Sequence, residues 1–473
     1  MFNTIRIGII YNLIGTYSGL VIQILITAIL SRLLTPEEYG IVAIMQVFIV
    51  FVNVIINAGL GPAIIQNKKL NDEDNSVLFN FSIMLSIIVT ILFGLFGLIM
   101  AKIYSNSIFI QLAWYQSISV LFFGIATVPT AVLNKNKQFK LTNFSKVFSN
   151  FAAGIVAVYF AFRHFGVYAL LINSIVSAAI NFFLVFSFSN IKLIKKIDFQ
   201  PIKIVWDFSK NQFLFSLSNY FSSNFDNLLI GKFLGGTALA NYNKSYNLLL
   251  MPNLLFSGIV GPVLQPVLSE HQENVELIKS VTYRIIHFLA LFCLPLSVFL
   301  SMTSKQIIYI FYGDQWGEAV VPFSLLGLSS WTFVISTIMG TVMQSRNQIS
   351  LAVRSSFITT PLLILFIFLG MMFGSLVSVS GALTIGLLVN FGITSFMLVR
   401  YSLFSSLREL FKQFINPLVL SLLIFVGLKM VGSIKQVSVF EELIINVLTS
   451  AVIWICYIYY SKEVNTIKRI IEK

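Results

Sequence analysis

The chain has 473 residues, of which 57% are hydrophobic and only 10% are charged. A soluble domain carries about 25% charged residues, so this chain is predicted to lie in a lipid bilayer rather than in water. The net charge of +13 does not indicate nucleic-acid binding, because the basic residues form short clusters between apolar runs instead of one basic surface.

Fourteen apolar runs are long enough for a membrane helix, which needs roughly 20 residues. They cover residues 9–34, 40–66, 77–101, 108–133, 145–162, 166–190, 211–234, 243–268, 280–302, 319–344, 351–373, 377–399, 413–432 and 443–461. The links between these runs are short, so the predicted fold is an all-α membrane protein with about fourteen transmembrane helices. The first run is longer than the apolar part of a signal peptide and is predicted to be a retained membrane helix.

The distribution of Lys and Arg predicts the orientation, because cytoplasmic loops of membrane proteins carry an excess of positive charge. With the N-terminus inside and fourteen crossings, 23 of the 31 basic residues fall on the inner side and 8 on the outer side. The sequence therefore predicts a multi-pass protein of the plasma (inner) membrane with both termini in the cytoplasm.

The two halves of the chain share a weak internal repeat. The identities are Gly61–Pro62 with Gly261–Pro262 and Asn53 with Asn253 at a shift of 200 residues, and Val132 with Val342 and Gln138 with Gln348 at 210. Many transporters contain such repeats, with a substrate site between two lobes that opens alternately to each side. The prediction is an N-lobe of residues 1–190 (helices 1–6), a cytoplasmic linker of residues 191–210 and a C-lobe of residues 211–400 (helices 7–12). Residues 401–473, with helices 13 and 14 and a tail, form an appendage.

The sequence lacks the usual motifs of an enzyme or a metal site. It has no paired carboxylates at membrane depth, no Ser/His/Asp set and no phosphate-binding loop. Cys293 and Cys456 lie far apart in apolar runs, and no metal-ligand spacing occurs. We therefore predict a non-enzyme without cofactor or metal. The coupling ion of a transport cycle, Na⁺ or H⁺, stays open.

Polar residues inside membrane helices are the candidates for a substrate site, and Asp226 is foremost because burying a carboxylate in lipid is costly. Helices 1, 2, 7 and 8 are the most polar spans and are equivalent in the two repeats. The candidates for a shared cavity wall are Asp226, Asn224, Gln23, Asn53, Asn57, Tyr242 and Lys244. The alternative is that such residues form hydrogen bonds or ion pairs that hold helices together.

Basic residues near the two membrane faces are candidates for contacts with an anionic headgroup, such as a pyrophosphate. They are Lys146, Arg284 and Arg354 near the inner face and Arg32 and Lys232 near the outer face. The alternative interpretation is that these side chains anchor the helices by extending toward the membrane surface.

Five strings then occur together in one order along the chain. They are LSRLLTPEEYGIVAIM at 30–45, NAGLGPAIIQNKKLNDED at 57–74, FDNLLIGKFLGGTALANYNKSYNLLLMPN at 225–253, GPVLQPVLSEHQ at 261–272 and IFYGDQW at 310–316. With these strings the chain resembles the polysaccharide transporter family, the Wzx-type flippases, and within it the branch of colanic acid and teichuronic acid exporters. That family is part of the multidrug/oligosaccharidyl-lipid/polysaccharide exporter superfamily.

The resemblance implies two six-helix lobes around a central, often cationic, cavity. It implies movement of undecaprenyl-pyrophosphate-linked oligosaccharide from the cytoplasmic to the outer leaflet for cell-surface polysaccharide assembly. Asp226 and Arg32 match positions of the family's motifs. Ala240 stands where related sequences tend to have glycine, and helix 2 has no Lys or Arg, whereas the lipid II flippase has arginines deep in its first two helices.

The partners expected from these observations are the lipid-linked oligosaccharide, membrane lipids and polysaccharide polymerase or assembly proteins, with the protein itself a monomer and no nucleic-acid partner. Two alternative functions stay open. One is a cation-coupled multidrug antiporter of the same superfamily, which would favour a cavity rich in carboxylates. The other is a membrane-embedded glycosyltransferase or polymerase, which would need a cluster of catalytic groups.

Overall fold

The computed structural model describes residues 2–57, 59–67, 69–194, 198–432, 438–461 and 463. These residues form helices joined by short turns, with no β-strand among them, so the predicted all-α fold is confirmed. Contacts divide the chain into two compact units, which we call the N-unit (Met1–Ala240) and the C-unit (Asn241–Lys473). The predicted tail beyond residue 463 lies outside the described residues.

The N-unit consists of eight helices and the start of a ninth. They are α1 (Phe2–Leu33), α2 (Pro36–Asn57), α3 (Leu60–Gln66), α4 (Asp72–Ile103), α5 (Ile108–Lys135), α6 (Phe139–Phe162), α7 (Val167–Ser189), α8 (Gln200–Phe233) and the first residues of α9 (Gly236–Ser269). In this unit α4 packs along α5, α6 lies between α1 and α7, and α8 packs against α2.

The C-unit contains the rest of α9 and nine further helices. They are α10 (Val275–Met302), α11 (Ser304–Phe311), α12 (Val320–Gly327), α13 (Ser330–Ser345), α14 (Ile349–Met371), α15 (Leu376–Met397), α16 (Leu407–Lys412), α17 (Ile415–Gly432) and α18 (Val439–Tyr460). A 3₁₀ turn (Asp314–Ala319) precedes α12, and a π-helical turn (Leu398–Ser402) follows α15. Here α14 packs along α15, and α17 lies between α10 and α18.

The number of membrane crossings is confirmed only in part. In the described chain, eleven helices are long and apolar enough to cross a membrane, or twelve if α12 and α13, bent by 45°, form one span. The helices α8 and α9, at predicted spans 7 and 8, are not among these twelve. The total of fourteen therefore stays a prediction. Many large apolar side chains are exposed, among them Leu98 and Phe357, as expected of helices that face lipid.

Two predicted spans are broken in the structure. The span 319–344 is divided between α12 and α13, as above, and the span 40–66 is divided between α2 and α3. The second break lies at Gly59, whose φ of +74° is left-handed, a conformation that glycine adopts without steric cost. An added Cβ at residue 59 would also lie 2.7 Å from the Ser209 carbonyl oxygen.

The helix α8 begins at Gln200, within the predicted linker 191–210, and is 34 residues long. Its first turn contains Pro201, which suits a position where no intrahelical N–H bond is needed. The helix therefore begins ahead of the apolar run 211–234. The role of residues 191–210 as a cytoplasmic linker stays a prediction.

Close approach of backbones joins α2 to the start of α9 within the N-unit. A Cβ added to Gly40 would lie 2.4 Å from the carbonyl carbon of Gly236, and one added to Gly236 would lie 3.0 Å from that of Gly40. Gly97 likewise meets Ala113 where α4 packs on α5. Small residues at such contacts are typical of membrane helices, whose packing depends on close van der Waals contact.

Candidate functional site

Four helices of the N-unit, α2, α5, α6 and α7, enclose a cavity of about 510 Å³, which we call the N-unit cavity. Its lining is mainly polar, with fourteen amide, hydroxyl or ammonium side chains against four apolar ones. The polar set is Gln46, Asn53, Gln116, Ser119, Thr130, Asn134, Thr142, Asn143, Lys146, Ser149, Asn150, Ser174, Ser177 and Asn181, and the apolar set is Ile49, Phe123, Ala178 and Val185. Polar side chains within membrane spans usually face the interior of the bundle or a water-filled cavity, and they are candidates for contact with a polar ligand.

Several hydroxyl groups of the cavity donate to backbone carbonyl oxygens of their own helices. The Thr130 Oγ1 donates to the Ala126 carbonyl oxygen at 2.7 Å, and Thr142 Oγ1 donates to that of Phe139 at 3.1 Å. The hydroxyl of Ser149 donates in the same way. Because each hydroxyl has one proton and two lone pairs, these oxygens can still accept hydrogen bonds from a ligand.

The amide groups of the cavity are held partly by neighbouring side chains. Ser177 on α7 donates to Asn150 Oδ1 on α6 at 2.8 Å, and Gln116 Nε2 donates to Ser119 Oγ on α5 at 2.8 Å. In contrast, the buried Oδ1 of Asn53 has no hydrogen-bond partner among the described residues. A buried acceptor without a partner costs about 1–3 kcal/mol, so Asn53 is well placed to accept a hydrogen bond from a ligand.

The charge of the N-unit cavity comes from one residue. Lys146 on α6 is exposed and is the one charged side chain among the eighteen lining residues, none of which is Asp or Glu. The cavity can therefore form many neutral hydrogen bonds and one charge-assisted hydrogen bond to an anion. It offers no carboxylate to a cationic ligand.

The C-unit encloses a cavity of its own, about 320 Å³, between α13, α14 and α15, which we call the C-unit cavity. Nine of its fifteen lining residues are polar and none is charged. These polar residues are Thr332, Ser336, Thr337, Ser355, Ser356, Thr359, Thr360, Asn390 and Thr394. Eight of these nine side chains are hydroxyls, whereas the N-unit cavity has seven amides and six hydroxyls.

The two cavities occupy matching positions in the internal repeat. At the shift of 210 residues, seven lining positions of one cavity fall on lining positions of the other. The pairs are Phe123/Phe333, Thr130/Gly340, Thr142/Ala352, Lys146/Ser356, Ser149/Thr359, Asn150/Thr360 and Ser177/Leu387. The coincidence supports the repeat, and it shows that the last three spans of each repeat enclose a polar space.

Of the residues predicted for a substrate cavity, the structure brings one into the N-unit cavity directly. Asn53 lines it, and Lys146, predicted for headgroup contact, lines it too. Asn57 lies one turn from Asn53 and supports it, because its Nδ2 donates to the Asn53 carbonyl oxygen at 2.9 Å. The Oδ1 of Asn57 accepts from Thr127 on α5 at 3.4 Å.

Asp226 and Asn224, both on α8, are not among the residues that line the N-unit cavity. Asp226 is buried, 9% exposed, and its Oδ1 accepts the Asn227 backbone N–H at 2.8 Å. Asn224 Nδ2 donates to the Tyr220 carbonyl oxygen at 3.0 Å. A role for either residue in substrate contact stays a prediction.

The remaining N-unit candidates lie at the ends or on the outside of helices. Gln23 and Arg32 are exposed on α1. Lys232 is exposed at the end of α8, where its Nζ donates to the Ile103 carbonyl oxygen at 2.9 Å. Lys232 also lines a smaller cavity of about 430 Å³, together with Glu37.

Lys244 and Tyr242 belong to a buried aromatic corner of the C-unit. Lys244 is 4% exposed, and its Nζ lies 4.7 Å from the ring centres of both Tyr312 and Trp316. Burial raises the pKa of the Tyr312 hydroxyl, which keeps that ring neutral. Tyr242 is fully buried and stacks on Tyr246 at 5.5 Å. These contacts join α9 to the turn before α12 by cation–π attraction.

Arg284 on α10 and Arg354 on α14 are exposed, and neither lines the C-unit cavity. A headgroup contact by these two arginines stays a prediction.

Sequence reasoning missed most of the N-unit cavity, because it favoured helices 1, 2, 7 and 8. Three of the four enclosing helices, α5, α6 and α7, correspond to predicted spans 4, 5 and 6. A signal was present: Thr142, Lys146 and Ser149 repeat at i, i+4 and i+7, and Ser174, Ser177 and Asn181 at i, i+3 and i+7. These spacings place three polar side chains on one face of each apolar helix.

The described chain has the many apolar helices of a multi-pass membrane protein, and its two polar cavities lie among them. The lipid II flippase MurJ in its inward closed conformation has the same fold, with a TM-score of 0.74 at 15% identity, over 96% of this chain and 100% of that chain. A family model described as polysaccharide biosynthesis protein matches residues 29–322, more than half of the chain. The chain therefore belongs to this family. The resemblance found in the sequence is thereby confirmed.

Two curated relatives are similar over most of their length. The teichuronic acid biosynthesis protein TuaB of Bacillus subtilis (strain 168) is 24% identical over 424 residues, 88% of this chain and 86% of TuaB. The lipopolysaccharide biosynthesis protein WzxC of Escherichia coli (strain K12) is 20% identical over 401 residues, 83% of this chain and 80% of WzxC. The family and these two relatives are described as biosynthesis proteins and the solved structure as a flippase, in agreement with the predicted non-enzyme.

Proposed function

We propose that the protein is a flippase that carries an undecaprenyl-pyrophosphate-linked oligosaccharide from the cytoplasmic to the outer leaflet of the plasma membrane, for assembly of a surface polysaccharide. The observation that carries this proposal is the lining of the N-unit cavity, thirteen neutral polar side chains and the single cation of Lys146. The family membership and the flippase-like fold support it.

The cavity lining matches the chemistry of such a substrate. Sugars present many hydroxyl groups, and each neutral hydrogen bond that replaces one to water contributes only about 0.5–1.5 kcal/mol. A site for sugars therefore needs many amides and hydroxyls, which the N-unit cavity supplies. A pyrophosphate needs a cation, and the Lys146 ammonium is the charged donor available there.

Transport would follow the alternating-access scheme expected of repeated transporters, with the two units exposing the site first to one side and then to the other. We propose that both termini lie in the cytoplasm, and the excess of basic residues on the predicted inner side supports this orientation. We propose that the protein acts as a monomer and delivers its substrate to a polysaccharide polymerase or assembly system. The choice between Na⁺ and H⁺ as coupling ion stays open.

The second candidate function is a cation-coupled multidrug antiporter, and the observation that favours it is the buried carboxylate of Asp226. Against it, none of the residues that line the N-unit and C-unit cavities is Asp or Glu. A cavity for cationic drugs would need such a carboxylate in contact with the ligand.

The test of the proposed function is deletion of the gene, followed by analysis of lipid-linked sugars and of drug sensitivity. We expect one defined lipid-linked oligosaccharide to accumulate on the cytoplasmic side and the surface polymer to disappear. Unchanged glycolipids together with altered drug sensitivity would refute the flippase and favour the antiporter.

A separate prediction concerns Asp226. Asp226→Ala should lower polymer export roughly tenfold without preventing membrane insertion, since a hydrogen bond to a charged group contributes about 1.5–3 kcal/mol. The matched control is Asp207→Ala, which removes an exposed carboxylate from the same helix and should leave export unchanged. Wild-type export by Asp226→Ala at a normal protein level would show that Asp226 has no part in transport.

A further inference from the structure

An apolar groove lies between α2, α4 and α8 of the N-unit and has a volume of about 440 Å³. Its eleven lining residues carry no charge. They are Phe48, Phe51, Val52 and Ile55 on α2, Val89, Leu92, Phe93 and Phe96 on α4, and Tyr220, Phe221 and Leu228 on α8. The groove is open at its edge, where Leu92 is 59% and Phe221 46% exposed.

The groove presents no polar group that would oppose a hydrocarbon. Its one hydroxyl, on Tyr220, is already used, because it donates to the Val47 carbonyl oxygen at 3.0 Å. The walls are held by ring contacts, with 5.1 Å between the ring centres of Phe48 and Phe96 and 5.3 Å between those of Phe51 and Tyr220. Its shape is therefore fixed by packing, and its surface is suited to branched apolar chains.

One helix, α2, forms a wall of both the apolar groove and the polar N-unit cavity. Gln46, Ile49 and Asn53 line the cavity, whereas residues 48, 51, 52 and 55 line the groove. At 3.6 residues per turn, these two sets lie on nearly opposite faces of the helix. A polar site and an apolar site are thus separated by the thickness of a single helix.

We propose that the apolar groove binds the polyisoprenoid tail of the transported lipid, at the segment next to its headgroup, while the sugar and pyrophosphate occupy the N-unit cavity. This inference rests on the proposed function. An amphiphilic substrate whose headgroup enters a polar cavity needs an apolar surface for its tail within a short distance. The helix α2 provides this arrangement, because it lines both the N-unit cavity and the apolar groove. In a bilayer the alternative surroundings of the tail are lipid chains, so the groove contributes close van der Waals packing and a fixed position for the tail.

The test compares Leu92→Trp with Leu98→Trp in purified protein in nanodiscs. Both leucines are on α4 and similarly exposed, 59% and 55%, but Leu92 lines the groove and Leu98 does not. The two probes are an undecaprenyl-pyrophosphate-linked oligosaccharide and the same oligosaccharide pyrophosphate without an isoprenoid tail. The tail-free probe also reports whether each variant is folded.

We expect Leu92→Trp to weaken binding of the long-tailed probe roughly tenfold, because the indole would occupy space in the groove that the tail needs, and overpacking of an apolar contact costs about that much. Binding of the tail-free probe should be unchanged in both variants, and Leu98→Trp should bind both probes as wild type does.

Two results would overturn the inference. If wild type binds both probes and Leu92→Trp alters neither Kd, the groove takes no tail and is filled by acyl chains of the surrounding phospholipid. If wild type binds neither probe, the proposed function is wrong, and the inference fails with it.

Discussion

Replacing Lys146 with methionine is expected to weaken binding of a pyrophosphate-linked lipid roughly tenfold to a hundredfold, since a hydrogen bond to a charged group contributes about 1.5–3 kcal/mol. Lys146 is the one charged side chain among the residues that line the N-unit cavity. Methionine keeps most of its length and removes the charge. The measurement is Kd for the purified variant in nanodiscs, together with polymer export by cells that carry it.

The control for this prediction is Lys203→Met, because loss of any inner-side cation weakens the charge bias that orients the protein. Lys203 is exposed on α8 and does not line the N-unit cavity. Its substitution should leave Kd at the wild-type value. Equal effects of the two substitutions would mean that Lys146 acts through topology and not through contact with the substrate.

The second large effect is expected at Gly40, where α2 meets the start of α9. In Gly40→Ala the new methyl group would lie 2.4 Å from the carbonyl carbon of Gly236. A change of side-chain rotamer cannot relieve this clash, because the contacted atom belongs to the backbone. The two helices must separate, and overpacking of this kind costs about 1–3 kcal/mol. We expect a lower free energy of unfolding, measured by thermal denaturation in detergent or nanodiscs.

Gly392→Ala provides the matched control, because an added Cβ at residue 392 meets nothing within 4 Å. Alanine is the better helix former by about 0.5–1 kcal/mol, so this variant should be as stable as wild type or more stable. A Gly40→Ala protein as stable as Gly392→Ala would show that the contact between residues 40 and 236 does not constrain the fold.

The helices could be predicted from sequence because a bilayer imposes a simple rule, a run of about 20 apolar residues for each crossing. The breaks within the spans could not. Gly59, between α2 and α3, has a left-handed backbone and lies against the backbone of Ser209. Ser209 is 150 residues away in sequence, so this contact cannot be read from the local pattern. Likewise, no local pattern predicts the 45° bend between α12 and α13, because both sides of it are apolar.

The candidate site was less predictable than the fold. From the sequence alone, Lys146 cannot be distinguished from a basic residue that anchors a helix at the membrane surface. In the same way, Ser177 cannot be distinguished from a serine whose hydrogen bond only holds two helices together. Only the folded chain shows Ser177 donating to Asn150 at the edge of a cavity that both line. Asn53 lines the N-unit cavity, whereas the candidates on helices 1, 7 and 8 do not, and a role of any of them in substrate contact stays a prediction.

The matched pair Lys146 and Ser356 breaks the symmetry of the repeat. Seven lining positions of the two cavities are aligned, yet only the N-unit cavity has a cation among its lining residues. An anionic group is therefore expected to bind the N-unit cavity more tightly than the C-unit cavity. Two cavities with matching positions in the chain thus differ in the charge of the ligand that they favour.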